Sequence, residues 1–272
     1  MKFTIPIFLF DYKDIGVDIV ALKSKIASFY GEFQPDYYLL HKRKIDFLFQ
    51  NNLLKSKDYT IDIASLDLPN GITKTLDSFV SNRKRLISEY RIKIKEKDIN
   101  ILRIPSPPPP LFFCPSECKF TRKSDYRHYA RKFKELPNEL FDDNLVEIIK
   151  FVFLEIKKFL DFSEAHLIIH HTLIECINGE SATNSPEGSH QDGMDYIVSA
   201  FVVESQNICG AKSILYLEDK KTKIFQTTLK EGQGILQADK DSFLWHKVTD
   251  IQPIHSDLPA FRSSIGFDIE II

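Results

Sequence analysis

Pro186-Glu187-Gly188-Ser189-His190-Gln191-Asp192-Gly193-Met194-Asp195 is poor core sequence and good ligand sequence. A His-x-Asp lies between glycines and runs straight into the apolar, strand-like Tyr196–Val203. In an extended chain successive side chains alternate faces, so His190 and Asp192 point one way and Gln191 the other. An imidazole and a carboxylate on one side of a short, stiff backbone can grip one ion. A third donor has to come from elsewhere in the chain.

The sequence around this stretch reads as strands. Runs at 166–177, 196–203, 212–217, 223–228, 234–238, 242–248 and 264–272 are separated by turn residues at Asn178-Gly179, Cys209-Gly210, Glu218-Asp219 and Gly232–Gly234. Strands at this spacing, joined by short turns, suit an α+β protein with a double-stranded β-helix core, a jelly roll of cupin type. A twisted open sandwich is the structural competitor.

The first half supplies the helices that buttress that core. Lys2–Phe10 reads as a short strand, cut early by Pro6. Asp18–Phe29, Tyr37–Leu54 and Thr73–Tyr90 carry apolar residues at three- and four-residue spacing, which predicts amphipathic helices. A further helix opens at Asn144, with Glu147 placed for a capping box. Pro105-Ser106-Pro107-Pro108-Pro109-Pro110 cannot be helical and reads as a stiff polyproline II spacer. The expected division is a mainly helical region, 1–104, packed on a jelly-roll core with its preceding helices, 105–272.

Composition narrows the function classes. A net charge of −2 gives no general attraction to nucleic acid or to an anionic membrane. The basic-aromatic cluster Arg122, Lys123, Arg127, Arg131, Lys132 and Lys134 reads as a solvated face, with Arg127 a candidate for an anionic substrate group. Four cysteines are too few for a disulfide scaffold, and no signal peptide or spanning segment is visible. The expectation is a soluble, cytoplasmic protein, monomer or homodimer, with a small-molecule partner and neither nucleic acid nor membrane.

His246, in the strand-like Phe243–Thr249, is the candidate third donor. Two histidines and one carboxylate form the facial triad of non-heme Fe(II) oxygenases; zinc accepts the same donors but keeps fewer open positions. Sixteen residues later Arg262 heads the last strand, where burial would demand an anionic partner. That partner is either a structural Asp or Glu, or a ligand carboxylate matched to the guanidinium fork. Ser264 faces the same way and can donate its hydroxyl. His170 and His171 are adjacent, so at most one faces a cavity.

The ordered set His190-x-Asp192…His246…Arg262-x-Ser264 resembles the signature of the 2-oxoglutarate- and Fe(II)-dependent dioxygenases. Pro186-Glu187-Gly188-x-His190-Gln191-Asp192-Gly193-x-Asp195, then Asn207-Ile208-x-Gly210-x-x-Ser213-x-x-Tyr216 and His246-x-Val248-Thr249, is similar to a bacterial branch containing free L-amino-acid hydroxylases of the L-isoleucine dioxygenase type. Ala211, where a second glycine is expected, and Ala238-Asp239, where an acidic pair is common, depart from that pattern without bearing on a ligand. The resemblance implies Fe(II) on His190, Asp192 and His246, with 2-oxoglutarate anchored by Arg262 and Ser264. It also implies O₂ as oxidant, succinate and CO₂ as by-products, and hydroxylation of an unactivated C–H bond. A free amino acid would then need an ammonium partner, for which Glu187 is the candidate, and a carboxylate partner, Arg127. A turn-stabilising role for Glu187 is the competing reading. Desaturation or cyclisation of a natural-product intermediate by the same centre, and a non-catalytic metal-binding jelly roll, are the alternatives.

Overall fold

The computed structural model describes residues 7–96, 98–105, 111–112 and 131–272. Its architecture is carried by β1 (Phe8–Asp11), α1 (Ile19–Ala27), α2 (Tyr37–Gln50), α3 (Asn70–Asp77), β2 (Arg83–Lys95), β3 (Asp98–Ile104), α4 (Asp143–Lys157), β4 (Glu164–Glu175), β5 (Tyr196–Gln206), β6 (Lys212–Tyr216), β7 (Lys223–Thr228), β8 (Gln233–Ala238), β9 (Trp245–Val248) and β10 (Phe261–Ile271). The larger sheet has nine strands and runs β1-β8-β5-β10-β4-β2, with β3 and two short strands, Gln34–Pro35 and Lys134–Glu135, also paired to β2. A smaller sheet, β7-β6-β9, closes over it. Two sheets enclosing a cavity, antiparallel except where Lys134–Glu135 runs parallel to β2, make the jelly roll expected from the strand spacing, with few helices around it.

The last strand shows why the sheet holds together. β10 pairs antiparallel with β4 from Phe261↔Glu175 to Ile271↔Ala165, and with β5 on its other edge. Ile265, Phe267 and Ile269 point into a core shared with Leu86, Tyr90, Leu167 and Ile169. Against that face packs α4, burying Leu145, Ile148, Ile149, Val152, Phe153 and Ile156. The alternate residues Arg262, Ser264, Gly266 and Asp268 line the cavity instead. Both faces are covered, so β10 is buried almost throughout.

Two helix boundaries differ from the sequence-based expectation. The helix read across Thr73–Tyr90 ends at Asp77, and β2 begins at Arg83. Leu86 and Tyr90 fit a helical repeat, but Leu86, Ser88, Tyr90, Ile92 and Ile94 are also a period-two set. Long antiparallel pairing with β4, Arg83↔Ile174 through Lys93↔Glu164, selects the strand over local propensity. Helix α4 starts before Asn144: Asp142 is its N-cap and accepts from the Leu145 amide. The Asn144 side chain is used elsewhere, accepting from the Asp18 amide at 2.9 Å and tying α4 to the start of α1. No helix among the described residues is long and apolar enough to cross a membrane.

The N-terminal helices are locked to the sheet by a buried ion pair. Asp36 caps α2 and accepts from Arg83 Nη2 at 2.8 Å and Nε at 3.2 Å, with both residues buried. Removing one partner of such a pair strands a charge in the interior. Asp36→Ala is expected to lower unfolding stability by about 3–5 kcal/mol, read from the denaturant midpoint; a loss under about 1 kcal/mol would contradict this role.

Candidate metal centre and cosubstrate pocket

His190 and His246 meet as an isolated antiparallel bridge. The His190 amide donates to the His246 carbonyl at 3.0 Å, and the His246 amide returns the bond at 2.9 Å. Backbone pairing therefore sets the two imidazoles beside each other, ring centroids 4.2 Å apart. Asp192, on the same face as His190, places Oδ1 3.4 Å from His190 Nε2 and Oδ2 3.4 Å from His246 Nε2. One ligand atom from each of the three lies within 4.8 Å of the others. The sequence-derived triad is thus assembled, with both histidines buried.

The surrounding motif residues hold this geometry. His190 Nδ1 donates to the Gly188 carbonyl at 2.9 Å, which turns Nε2 toward Asp192. Gly188 and Gly193 sit at φ +81° and +86°, which a side chain would strain. Gln191 points away from the cluster, and its Nε2 donates to the carbonyls of Asp239, Ser242 and Leu244. This clips the turn that leads into His246. Asp239 Oδ2 accepts from the Gly193 and Met194 amides, at 2.6 and 3.1 Å. Its Oδ1 lies 3.8 Å from His246 Nδ1. Asp239 thus stands beside His246 without a hydrogen bond to it and acts on the backbone of the motif. Ala211 adopts φ +49°, the left-handed region that makes glycine the usual residue there. Asp195 fastens the motif to β10 by accepting from the Ile271 amide at 2.7 Å.

Electrostatics in the cluster ask for a cation. Burial works against a charged His190, but the carboxylates of Glu187 and Asp192 outweigh it and raise the imidazole to about 9. Burial likewise opposes ionised Asp192, yet His246 and His190 hold its carboxyl well below the usual range. Asp239 is pushed well up, by burial first and then by the charge of Asp192. Glu187 Oε1 stands 3.3 Å from His190 Nε2 and lines the cavity. Two histidines and a carboxylate ringed by further acid fit a divalent metal.

The cavity, about 130 Å³, lies between the sheets. Arg262 and Ser264 line it with the triad. Arg262 is 3% exposed; its Nη1 donates to Asn184 Oδ1 at 3.3 Å, and its Nη2 has no partner among the described residues. A buried guanidinium with an open donor fits an anionic ligand rather than a structural ion pair. Of the adjacent His170 and His171 it is His170 that faces the cavity, paired with Asp268, which also lines it; Arg83, Arg85 and Asn184 line it too and carried no sequence signal of a site. His170 Nε2 and Asp268 Oδ2 are 2.9 Å apart. Continuing the period-two reading of Arg262 and Ser264 would have reached Asp268. His171, on the opposite face, is lowered to about 3 by burial first and then by His170. Arg127 lies outside the described residues, as do Arg122, Lys123, Cys114 and Cys118; Lys134 pairs with Glu32 at 2.5 Å.

A jelly roll closing over a His-Asp-His cluster and a buried arginine makes a candidate site for one metal ion beside a candidate site for an anion. The family model described as 2OG-Fe dioxygenase matches residues 74–268, and the chain belongs to that family. It is a 2-oxoglutarate-dependent dioxygenase whose reaction uses Fe(II), 2-oxoglutarate and O₂. Among solved structures it is similar to a bsmA homologue from Methylobium petroleophilum PM1 (14% identity, 97% of this chain and 88% of that one, TM-score 0.64). It is also similar to IDO from Bacillus thuringiensis (14%, 92% and 99%, 0.54). A third likeness is to the Fe(II)/(alpha)ketoglutarate-dependent dioxygenase TqaL (12%, 95% and 88%, 0.51). These likenesses show a shared fold. No curated protein matches the chain in sequence.

Gln191→Ala removes the clip but no ligand. Supporting groups of this kind typically change metal affinity about 10–100-fold. Titration with Mn(II) is expected to show binding weakened at least about ten-fold, with the native circular-dichroism spectrum kept; wild-type affinity in the folded variant would refute the assignment.

Proposed function

We propose that this enzyme hydroxylates an unactivated C–H bond of a free L-amino acid or close derivative. The observation that carries the reading is Glu187. Its carboxylate lines the same cavity as the triad, 3.3 Å from His190 Nε2, where a substrate ammonium would lie beside the metal centre. The motif around it, Pro186 to Asp195, supports the same class by its resemblance to amino-acid hydroxylases. Arg127 is kept as the candidate for the substrate carboxylate, and Arg85, which lines the cavity, is a second.

His190 Nε2, Asp192 and His246 Nε2 would hold the iron. When bound, iron supplies O₂ activation: one oxygen atom enters the substrate C–H bond, the other enters succinate, and 2-oxoglutarate loses CO₂. The chain's own residues do the rest. Arg262 takes the distal carboxylate of 2-oxoglutarate, and a guanidinium so buried meets little competition from water. Its pKa, brought down to about 10 by burial, still leaves it charged at neutral pH. Ser264 donates its hydroxyl to the same carboxylate. Gly188 keeps a proton on His190 Nδ1. Glu187 orients the substrate through its ammonium.

The test is succinate release screened across free amino acids with Fe(II) and O₂. At least one amino acid should stimulate turnover and gain one oxygen in mass; loss of two hydrogens would mark desaturation or cyclisation instead. With that amino acid, Glu187→Gln should raise KM about ten-fold or more, the worth of a charge-assisted hydrogen bond, leaving the 2-oxoglutarate Kd unchanged. If no amino acid stimulates turnover, or the variant keeps the wild-type KM, the proposal fails.

A further inference from the structure

Arg262 is flanked in register by Ile174 on β4 and Ser205 on β5, neither of which can compensate its charge. Across Ile174, on the same row and face, stands a second buried guanidinium, Arg83. The two are treated differently. Arg83 has the Asp36 carboxylate at 2.8 Å. Arg262 has the neutral amide of Asn184 at 3.3 Å and no acidic partner among the described residues.

Asn184 is itself held from several sides. Its Nδ2 donates to the Thr249 carbonyl at 2.7 Å, and its own carbonyl accepts from Arg83 Nη1 at 3.4 Å. Residue 184 thus lies between the two arginines, anchored to the segment that follows β9, and presents only Oδ1 to Arg262. A neutral acceptor can aim a guanidinium without neutralising it. A carboxylate in the same place would form a buried ion pair and repel an incoming anion.

We infer that Asn184 is the positioning residue of the cosubstrate pocket: its amide aims Arg262 into the cavity and reserves that charge for the distal carboxylate of 2-oxoglutarate. Asn184 is then a determinant of cosubstrate affinity, not of metal affinity. The inference rests on Arg262 being the cosubstrate anchor.

The experiment is calorimetric titration of 2-oxoglutarate into the Mn(II)-loaded full chain without O₂, for Asn184→Ala, Asn184→Asp and Arg262→Gln. Losing a hydrogen bond to a charged group corresponds to about ten-fold in Kd, expected for Asn184→Ala. Asn184→Asp keeps size and acceptor but adds charge, and should be the weaker binder of the two, on the order of a hundred-fold below wild type. Mn(II) affinity should stay within about two-fold for both, because residue 184 touches no ligand of the triad. A purely structural role predicts that 2-oxoglutarate affinity falls only in step with the denaturant midpoint of each variant, since Asn184→Asp also gives up the Nδ2 bond to the Thr249 carbonyl. If Asn184→Asp binds 2-oxoglutarate as well as Asn184→Ala or better, the inference is overturned. Arg262→Gln separates the two levels. If it keeps wild-type affinity, the anchor reading falls; if it loses affinity while both residue-184 variants retain theirs, only the role of Asn184 falls.

Discussion

The pairing of His190 with His246 through two main-chain hydrogen bonds is the constraint on which the site depends. Metal donors must be held to fractions of an ångström, and flexible loops do that poorly. Here two histidines far apart in sequence become direct cross-strand neighbours. Once they are paired, the two-residue step to Asp192 brings the carboxylate onto the same face without further help. Gln191 and Asp239 then act on the backbone around the bridge and leave its ligand face alone. The glycines of the motif serve this too, because the chain must turn sharply on either side of a rigid triplet.

The second constraint is the division of β10 into two faces. Its odd-numbered residues Ile265, Phe267 and Ile269 join the core under α4, while its even-numbered residues face the cavity. Polar groups placed in the interior have to be satisfied or they cost stability. Arg83 meets Asp36, and His170 meets Asp268. Arg262 differs from these two in having no acidic partner among the described residues, and its Nη2 is open. Such a departure is tolerable where a ligand completes the hydrogen bonding, which ties the energetics of the empty protein to those of the complex.

How much of this was legible in the sequence depended on the distance over which each interaction acts. His190, Asp192, His246, Arg262 and Ser264 could be picked out because each sits in a short strand-like run whose period-two geometry needs no tertiary knowledge. The strand β2 was not legible: Leu86 and Tyr90 satisfy helical and extended periods alike, and pairing with β4 decides between them. The start of α4 was misplaced because Asp142 and Asn144 are both good caps, and Asn144 is drawn off by the Asp18 amide. Asn184 and Arg83 gave no local signal, since their partners lie 78 and 47 residues away. Asp239 looked like a departure from a family pattern, and only the fold brings it beside His246.

The cavity face of β10 also gives the site a direction. From Arg262 through Ser264 and Gly266 to Asp268, it passes from cation to hydroxyl to bare backbone to anion. Six residues of extended strand span about 20 Å, enough to separate these charges well. The two ends differ in how their charge is met: Asp268 has His170 Nε2 at 2.9 Å, whereas Arg262 has only the neutral amide of Asn184. Gly266 stands opposite His170 in register, so the imidazole can reach diagonally to Asp268 without a side chain in its path. The alternation of side chains along one strand is thus enough to set opposite charges at the two ends of a single cavity-facing row.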